Sequence, residues 1–114
     1  MILSIERKQL PNEVVVFEMT GRIILGNNSR DVELNLTKAL NDNLRKVIFD
    51  LAGITILDST GVGIVVMCHA KLKKLGGELR VAGATGMVDE TLRMTSVDKI
   101  VRFFPTVPAA AREF

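Results

Sequence analysis

The fold of this chain is decided by the stretch Leu57-Asp58-Ser59-Thr60-Gly61-Val62-Gly63. It follows an apolar, strand-like run at residues 47–51 and leads into an apolar segment at residues 64–75. This pattern predicts a short turn that opens a buried helix, with Ser59 at the helix N-terminus. Backbone N–H groups converge there and the helix dipole favours negative charge. The hydroxyl of Ser59 could therefore carry a phosphate, or it could simply cap the helix.

Toward the N-terminus, the sequence predicts a hairpin followed by a helix. Residues 3–9 and 13–19 are rich in strand-forming side chains and are separated by a turn at residues 10–12. Residues 22–25 continue extended after a bend at Thr20-Gly21. A turn at residues 26–29 supplies the cap of an amphipathic helix over residues 29–43, in which apolar side chains recur at helical spacing.

Toward the C-terminus, strands and helices alternate. The pattern predicts a strand at residues 46–51 that Ala52-Gly53 breaks, then the helix that opens at Asp58 and ends near residue 75. A strand at 78–82, a helix at 86–94 capped by Thr85, a strand at 100–104 and a closing helix capped by Thr106 follow. We therefore predict one α/β domain over residues 1–114, with a mixed, mostly parallel sheet, an N-terminal antiparallel hairpin and helices packed on the sheet.

Composition narrows the classes of partner and compartment. The chain has 114 residues and a net charge of only +2, and it shows no basic stripe interleaved with aromatic residues, so nucleic-acid binding is not expected. A single cysteine suits a reducing compartment. The N-terminus lacks a signal-peptide pattern, and the longest apolar run, residues 62–68, is too short to cross a membrane. We expect a cytoplasmic protein that has no membrane partner.

The residues offer little support for catalysis, a cofactor or a metal. A hydrolase nucleophile elbow needs a glycine two positions before and two positions after the serine. Gly61 fits the second position, but the first is occupied by Leu57. The only histidine, His69, would lie about 15 Å along the helix from Ser59. Gly61-Val62-Gly63 lacks the third glycine of a dinucleotide loop, and the adjacent Cys68 and His69 point in different directions. We expect no enzyme, no cofactor and no metal; a phosphorylation switch or an ordinary helix cap remains.

Three segments resemble the STAS domain of bacterial anti-sigma factor antagonists. They are residues 47–51 (Val-Ile-Phe-Asp-Leu), residues 56–63 around Asp-Ser-Thr-Gly, and residues 76–79 (Gly-Gly-Glu-Leu). Thr20-Gly21, near the end of the second strand, adds weaker support. The likeness covers nearly the whole chain.

This resemblance implies a non-catalytic binding protein. Family members bind, when unphosphorylated, an anti-sigma factor that is also a serine kinase, and they thereby free the sigma factor. That kinase phosphorylates the serine after the aspartate, which matches Ser59, with Thr60 as a second choice, and a PP2C-type phosphatase restores the binding form. The implied docking surface comprises the motif and the preceding turn: Asp58, Ser59, Thr60, Gly61, Asn27 and Asn28.

The chain departs from the family at one point, and two alternative functions stay open. Many antagonists carry acidic residues soon after the glycine that ends the second strand, but no carboxylate lies between Gly21 and Asp31 here. Asn27 or Asn28 would then supply the polar contacts, or the partner would differ. The alternatives are a STAS subunit of a larger signalling or lipid-transport assembly, in which Ser59 is only a helix cap, and a small serine hydrolase. A homodimer is also left open.

Overall fold

The computed structural model describes residues 2–114, in which five strands and four α-helices follow one another closely. In chain order, the elements are β1 (Ser4–Leu10), β2 (Val14–Ile23), α1 (Arg30–Asn41), β3 (Lys46–Leu57), α2 (Ser59–Lys74), β4 (Glu78–Ala82), α3 (Gly86–Met94), β5 (Arg102–Phe104) and α4 (Val107–Ala111). Short 3-10 turns lie at Pro11–Glu13 and Val97–Lys99.

The five strands form one sheet in the order β1-β2-β3-β4-β5. β1 and β2 are antiparallel, whereas each later pair is parallel. Crossover connections between parallel strands are right-handed. The connections β2–α1–β3, β3–α2–β4 and β4–α3–β5 all lead in the same direction across the sheet, so their three helices lie on the same face. Accordingly, α1, α2 and α3 pack on one face, and α4 packs on the other. The predicted fold class, a mixed, mostly parallel sheet with an N-terminal antiparallel hairpin, is confirmed.

The main core lies between the sheet and its three covering helices. Successive side chains of a strand point to opposite faces, so Phe17 and Met19 of β2 enter this core while Val16 faces α4. The rings of Phe17 and Phe49, on neighbouring strands, lie in the core with centroids 6.1 Å apart. This aromatic pair joins β2 to β3 within the main core.

The prediction that Ala52-Gly53 breaks the third strand is wrong. β3 runs on to Leu57, and its later half pairs with β2 across register shifts near Thr20 and Gly21. A Cβ on Gly53 would lie 2.8 Å from the carbonyl oxygen of Met19, so the glycine permits a close approach at this irregularity. Since β4 pairs only with Lys46 to Asp50, the ends of β2 and β3 project beyond the rest of the sheet.

The predicted helix caps have mixed outcomes. Thr106 caps α4, because its hydroxyl oxygen accepts the N–H of Ala109 at 3.2 Å. Ser29 and Thr85 occupy the positions before α1 and α3 but make no side-chain capping hydrogen bond. α1 is also shorter than predicted at both ends, and β5 begins at Arg102 rather than at residue 100.

Candidate functional site

Asp58 joins the projecting ends of β2 and β3 to the first turn of α2. Its backbone is extended, and its Oδ1 accepts the N–H of Gly61 at 3.0 Å, which makes Asp58 the N-cap of the helix. Its Oδ2 accepts the N–H of Leu25, in the loop between β2 and α1, at 3.1 Å. The N–H of Asp58 itself donates to the carbonyl of Ile23 at 3.3 Å. One carboxylate therefore holds a helix and a loop together.

These hydrogen bonds also fix the charge of Asp58. The N–H of Leu25, followed by that of Gly61, lowers the pKa of the Asp58 carboxyl below its usual value, because both donors stabilise the ionised form. The carboxylate is thus negatively charged at neutral pH. At neutral pH a negative charge therefore stands directly before Ser59.

Ser59 is the first residue of α2 and is exposed, while Thr60 is half-buried. Because Asp58 already supplies the cap, the hydroxyl of Ser59 is not required to begin the helix. Its position leaves it open to solvent beside the converging N–H groups of the first turn. Both hydroxyl-bearing residues line the same surface groove.

Gly61 lies beneath this surface. It is buried, and a Cβ at this position would overlap the carbonyl oxygen of Ile23 and lie 2.8 Å from the Cβ of Leu57. The missing side chain therefore lets the first turn of α2 press against the ends of β2 and β3. The resemblance implies a place for Gly61 on the docking surface, which stays a prediction; in the structure the residue is buried against Ile23 and Leu57.

The groove lies between α1 and the first half of α2 and has a volume of about 760 Å³. Its most exposed apolar side chains are Leu25, Leu34 and Met67, which are 77%, 57% and 42% exposed. The remaining lining residues are Gly26, Asn28, Ser29, Arg30, Asp31, Glu33, Ser59, Thr60, Gly63 and Ile64. Its apolar surface is therefore bordered by polar and charged groups on the α1 side.

The two asparagines of the turn have different places. Asn28 lines the groove, has a left-handed backbone (φ 60°), and its carbonyl accepts the N–H of Asp31 at 2.9 Å. Asn27 is not among the groove-lining residues; its side-chain amide donates to the carbonyl of Arg22 at 3.0 Å and so folds the loop. The structure thus brings Asn28, Ser59 and Thr60 to one groove, with Asp58 supporting them.

Leu25, Leu34 and Met67 were missed in the sequence. Leu34 does carry a signal, since it interrupts the helical spacing of the buried residues Val32, Leu36 and Ala39. An apolar residue off that spacing points away from the core. Leu25 offers no such signal, because it follows Ile24 directly and reads as the end of a strand.

The other chemical groups of α2 lie away from the groove. His69 borders a separate cavity with Lys73 and Arg102. Cys68 is buried, and this burial raises the pKa of its thiol to about 12. Among residues 2–114, no three His, Cys, Asp or Glu side chains are grouped so that they could hold a metal ion. Nor is any helix in this part of the chain both long and apolar enough to span a membrane.

Comparison with protein families identifies the fold. The family model described as "STAS domain" matches residues 5–110. The chain belongs to the STAS family. A "putative anti-sigma factor antagonist" of Thermotoga neapolitana is 26% identical to this STAS domain over 74 residues, which cover 65% of this chain and 66% of that relative.

Solved structures share the architecture of this STAS domain. An anti-sigma factor antagonist from Mycobacterium paratuberculosis has a TM-score of 0.83 at 21% identity and covers 95% of this chain and 90% of its own. The Bacillus cell fate determinant SpoIIAA, solved in its phosphorylated form, has a TM-score of 0.72 at 15% identity, with 94% and 96% covered. At these identities the likeness establishes the fold alone.

Proposed function

We propose that this STAS domain is an anti-sigma factor antagonist whose binding is switched by phosphorylation of Ser59. In its unphosphorylated form it binds an anti-sigma factor that is also a serine kinase, in the cytoplasm. Phosphorylation by that kinase ends binding, and a PP2C-type phosphatase restores it. The observation that carries this proposal is the exposed Ser59 on the wall of an apolar groove, next to a helix cap that Asp58 already provides.

A phosphate on Ser59 would change the surface without unfolding the helix. The first turn keeps its cap from Asp58, and a helix N-terminus tolerates added negative charge. A partner seated in the groove would meet about −1.5 to −2 new charges beside the ionised Asp58. Misplaced charge at an interface costs several kcal/mol, which corresponds to a loss of affinity of a hundredfold or more.

The groove also suggests how the chain manages without an acidic residue after Gly21. Asn28 lines the groove, and so do the carboxylate-bearing Asp31 and Glu33 at the start of α1. The partner would then offer a hydrogen-bonding group to Asn28. This difference affects the choice of anti-sigma factor more than the switch at Ser59.

The first experiment identifies the modified residue. The chain is incubated with ATP and each ATPase-fold serine kinase encoded in the source genome, and phosphopeptides are mapped by mass spectrometry. We expect phosphate on Ser59, with a minor fraction on Thr60, and none in the Ser59→Ala variant at that position. The matched control is Ser96→Ala, which removes an exposed serine at a distant turn and should leave phosphorylation unchanged. Phosphate confined to other sites contradicts the proposal.

The second experiment measures binding of the same kinase by titration calorimetry in the presence of ADP. Ser59→Ala should bind as the wild type does, whereas Ser59→Asp should bind at least tenfold more weakly. Ser96→Asp, which adds the same charge far from the groove, should bind normally. Equal affinity of Ser59→Ala and Ser59→Asp would remove the switch.

Neither alternative function gains from the geometry. The alternative of a STAS subunit in a larger assembly gives Ser59 only the role of helix cap, but in the structure Asp58 is the N-cap. A serine hydrolase would need a base near Ser59, and His69 borders a different cavity. A binding module therefore remains the function that these residues support best.

A further inference from the structure

We propose that Leu25 is the apolar anchor of the partner interface and that Asp58 is the positioning residue that holds it in place. This inference rests on the proposed function, since the partner is the anti-sigma factor that seats in the groove. It assigns to Asp58 an effect on binding that passes through the main chain of Leu25 rather than through contact with the partner.

Leu25 is among the most exposed apolar residues of the described chain. Its side chain is 77% exposed, and it lines the groove together with Leu34, Met67 and Ser59. A single exposed leucine is ordinary on a protein surface, but one that borders an apolar groove matches the profile of an interface anchor. A partner that covers Leu25 in this groove also covers Ser59, so the anchor and the switch belong to one surface.

The hydrogen bond from Leu25 to Asp58 is more than a helix cap requires. Capping α2 uses only Oδ1, which accepts from Gly61. Oδ2 reaches a loop residue 33 positions earlier in the chain, at 3.1 Å. On the other side of Leu25, Gly26 has φ +77°, a conformation that few other residues adopt. The loop is thus held at Leu25 and turns sharply directly after it.

Holding an exposed leucine in advance strengthens binding. A loop that is already ordered loses less conformational freedom when the partner arrives, and the saved entropy appears as affinity. If Asp58 loses its second acceptor oxygen, the N–H of Leu25 loses its partner and the side chain samples other positions. We therefore expect affinity to fall although the helix and the groove remain.

Asp58→Asn separates the two tasks of Asp58. Asparagine caps helices about as well as aspartate, so its one acceptor oxygen can stay on Gly61. Its amide nitrogen is a donor and cannot accept the N–H of Leu25. Asp58→Ser is a second variant, because serine also caps a helix but its shorter side chain has a single oxygen.

A measurement without any partner tests the positioning. Amide hydrogen exchange is followed by NMR in the wild type and in Asp58→Asn. We expect the amide of Leu25 to exchange at least tenfold faster in the variant, while the amide of Gly61 keeps its protection. If both amides keep their protection, or if Leu25 is unprotected in the wild type, the positioning role is overturned. Loss of protection at Gly61 alone also overturns the positioning role. If Asp58→Asn does not fold, the same comparison is made with Asp58→Ser.

A double-mutant cycle tests the anchor, using as probe the kinase that phosphorylates Ser59. Leu25→Ala should weaken binding at least tenfold, and Asp58→Asn should weaken it by a similar or smaller factor. The double variant should bind no more weakly than Leu25→Ala alone, because Asp58 acts through Leu25. The control pair Asp58→Asn with Leu34→Ala should show losses that multiply.

The outcomes separate this inference from the proposed function. If Ser59→Asp binds as tightly as the wild type, the switch has failed. If Ser59→Asp loses binding but Leu25→Ala binds normally, the switch stands and the anchor is overturned. Independent, multiplying losses for Asp58→Asn and Leu25→Ala overturn the positioning role.

Discussion

Gly61 and Ile23 meet so closely that no side chain fits between the Cα of the glycine and the carbonyl oxygen of the isoleucine. The same carbonyl accepts the N–H of Asp58 at 3.3 Å. The last residue of β2 thus contacts both the N-cap and the first turn of α2. This contact places Ser59 at the end of the sheet rather than over its middle.

The first prediction compares two glycines of the same helix. Gly61→Ala should lower the free energy of unfolding by about 1–3 kcal/mol, because its methyl group would overlap the carbonyl oxygen of Ile23 and crowd the Cβ of Leu57. Gly63→Ala is the matched control: nothing lies within 4 Å of the added Cβ, and alanine is the better helix former. It should raise the free energy of unfolding by about 0.5–1 kcal/mol. Urea unfolding measures both, and changes of the same sign would contradict the packing described here.

The second prediction concerns pH. The pKa of Asp58 is lower in the folded protein than its usual value of 3.8, so the folded state binds fewer protons than the unfolded chain. The resulting stability is complete above the unfolded pKa and is lost as the pH falls through the folded pKa. The wild type should therefore exceed Asp58→Asn in free energy of unfolding at pH 6, and the difference should shrink toward pH 3.

Urea unfolding at pH 6, 4.5 and 3 checks this expectation. Glu90→Gln, which neutralises an exposed carboxylate on α3, serves as the control and should differ little from the wild type at each pH. A gap between wild type and Asp58→Asn that widens on acidification would reverse the sign and refute the account of this carboxylate.

The third prediction concerns Arg80 of β4, which binds the C-terminal end of α4 to the face of the sheet opposite α1, α2 and α3. Its side chain is buried, and its Nη1 donates to the carbonyl of Ala110 at 2.8 Å and to that of Arg112 at 3.3 Å. The guanidinium carbon lies 3.9 Å from the ring centroid of Phe114. Arg80→Met should leave these carbonyls without a donor and lower the free energy of unfolding by about 2 kcal/mol.

The C-terminal segment should respond most strongly. In Arg80→Met, amides of residues 107–114 should exchange faster than those of β3 relative to the wild type. The control is Arg102→Met, an exposed arginine whose guanidinium also lies near a ring, Phe104, at 5.3 Å. That variant should change the free energy of unfolding by less than about 0.5 kcal/mol. Comparable effects of the two variants would show that Arg80 has no special part.

The fourth prediction uses Cys68 as a reporter of unfolding. Burial raises the pKa of its thiol to about 12, so almost no thiolate exists at pH 8, and the sulfur has no access to solvent. A thiol-specific reagent such as DTNB should leave the native protein unlabelled and react fully in guanidinium chloride. If the native protein were labelled as fast as a free cysteine, Cys68 would be accessible, and the packing of α2 against the sheet would be contradicted.

Much of the fold could be predicted because local signals agreed with the tertiary structure. Asp58 is a preferred cap, apolar residues follow it, and Gly76-Gly77 lie just past the end of the helix, so α2 was predicted nearly to its ends. The break at Gly53 was wrong because a glycine that ends a strand and one that permits a close approach look the same in a sequence.

The site was predictable only where one segment carries it. Asp58, Ser59 and Thr60 are neighbours in the chain, so the motif placed them together. The hydrogen bond between Leu25 and Asp58 joins residues 33 positions apart, and no pattern in the sequence near Leu25 predicts it. The burial of Gly61 could not be predicted either, because its contact with Ile23 depends on where two strands end.

Because Asp58 joins segments that are distant in the sequence, the surface that carries both Ser59 and Leu25 exists only in the folded chain. A synthetic peptide covering residues 58–74 would carry Ser59 but neither Leu25 nor its tether, so it should compete poorly for the same partner. We therefore expect a partner that needs both Ser59 and Leu25 to bind only the folded protein.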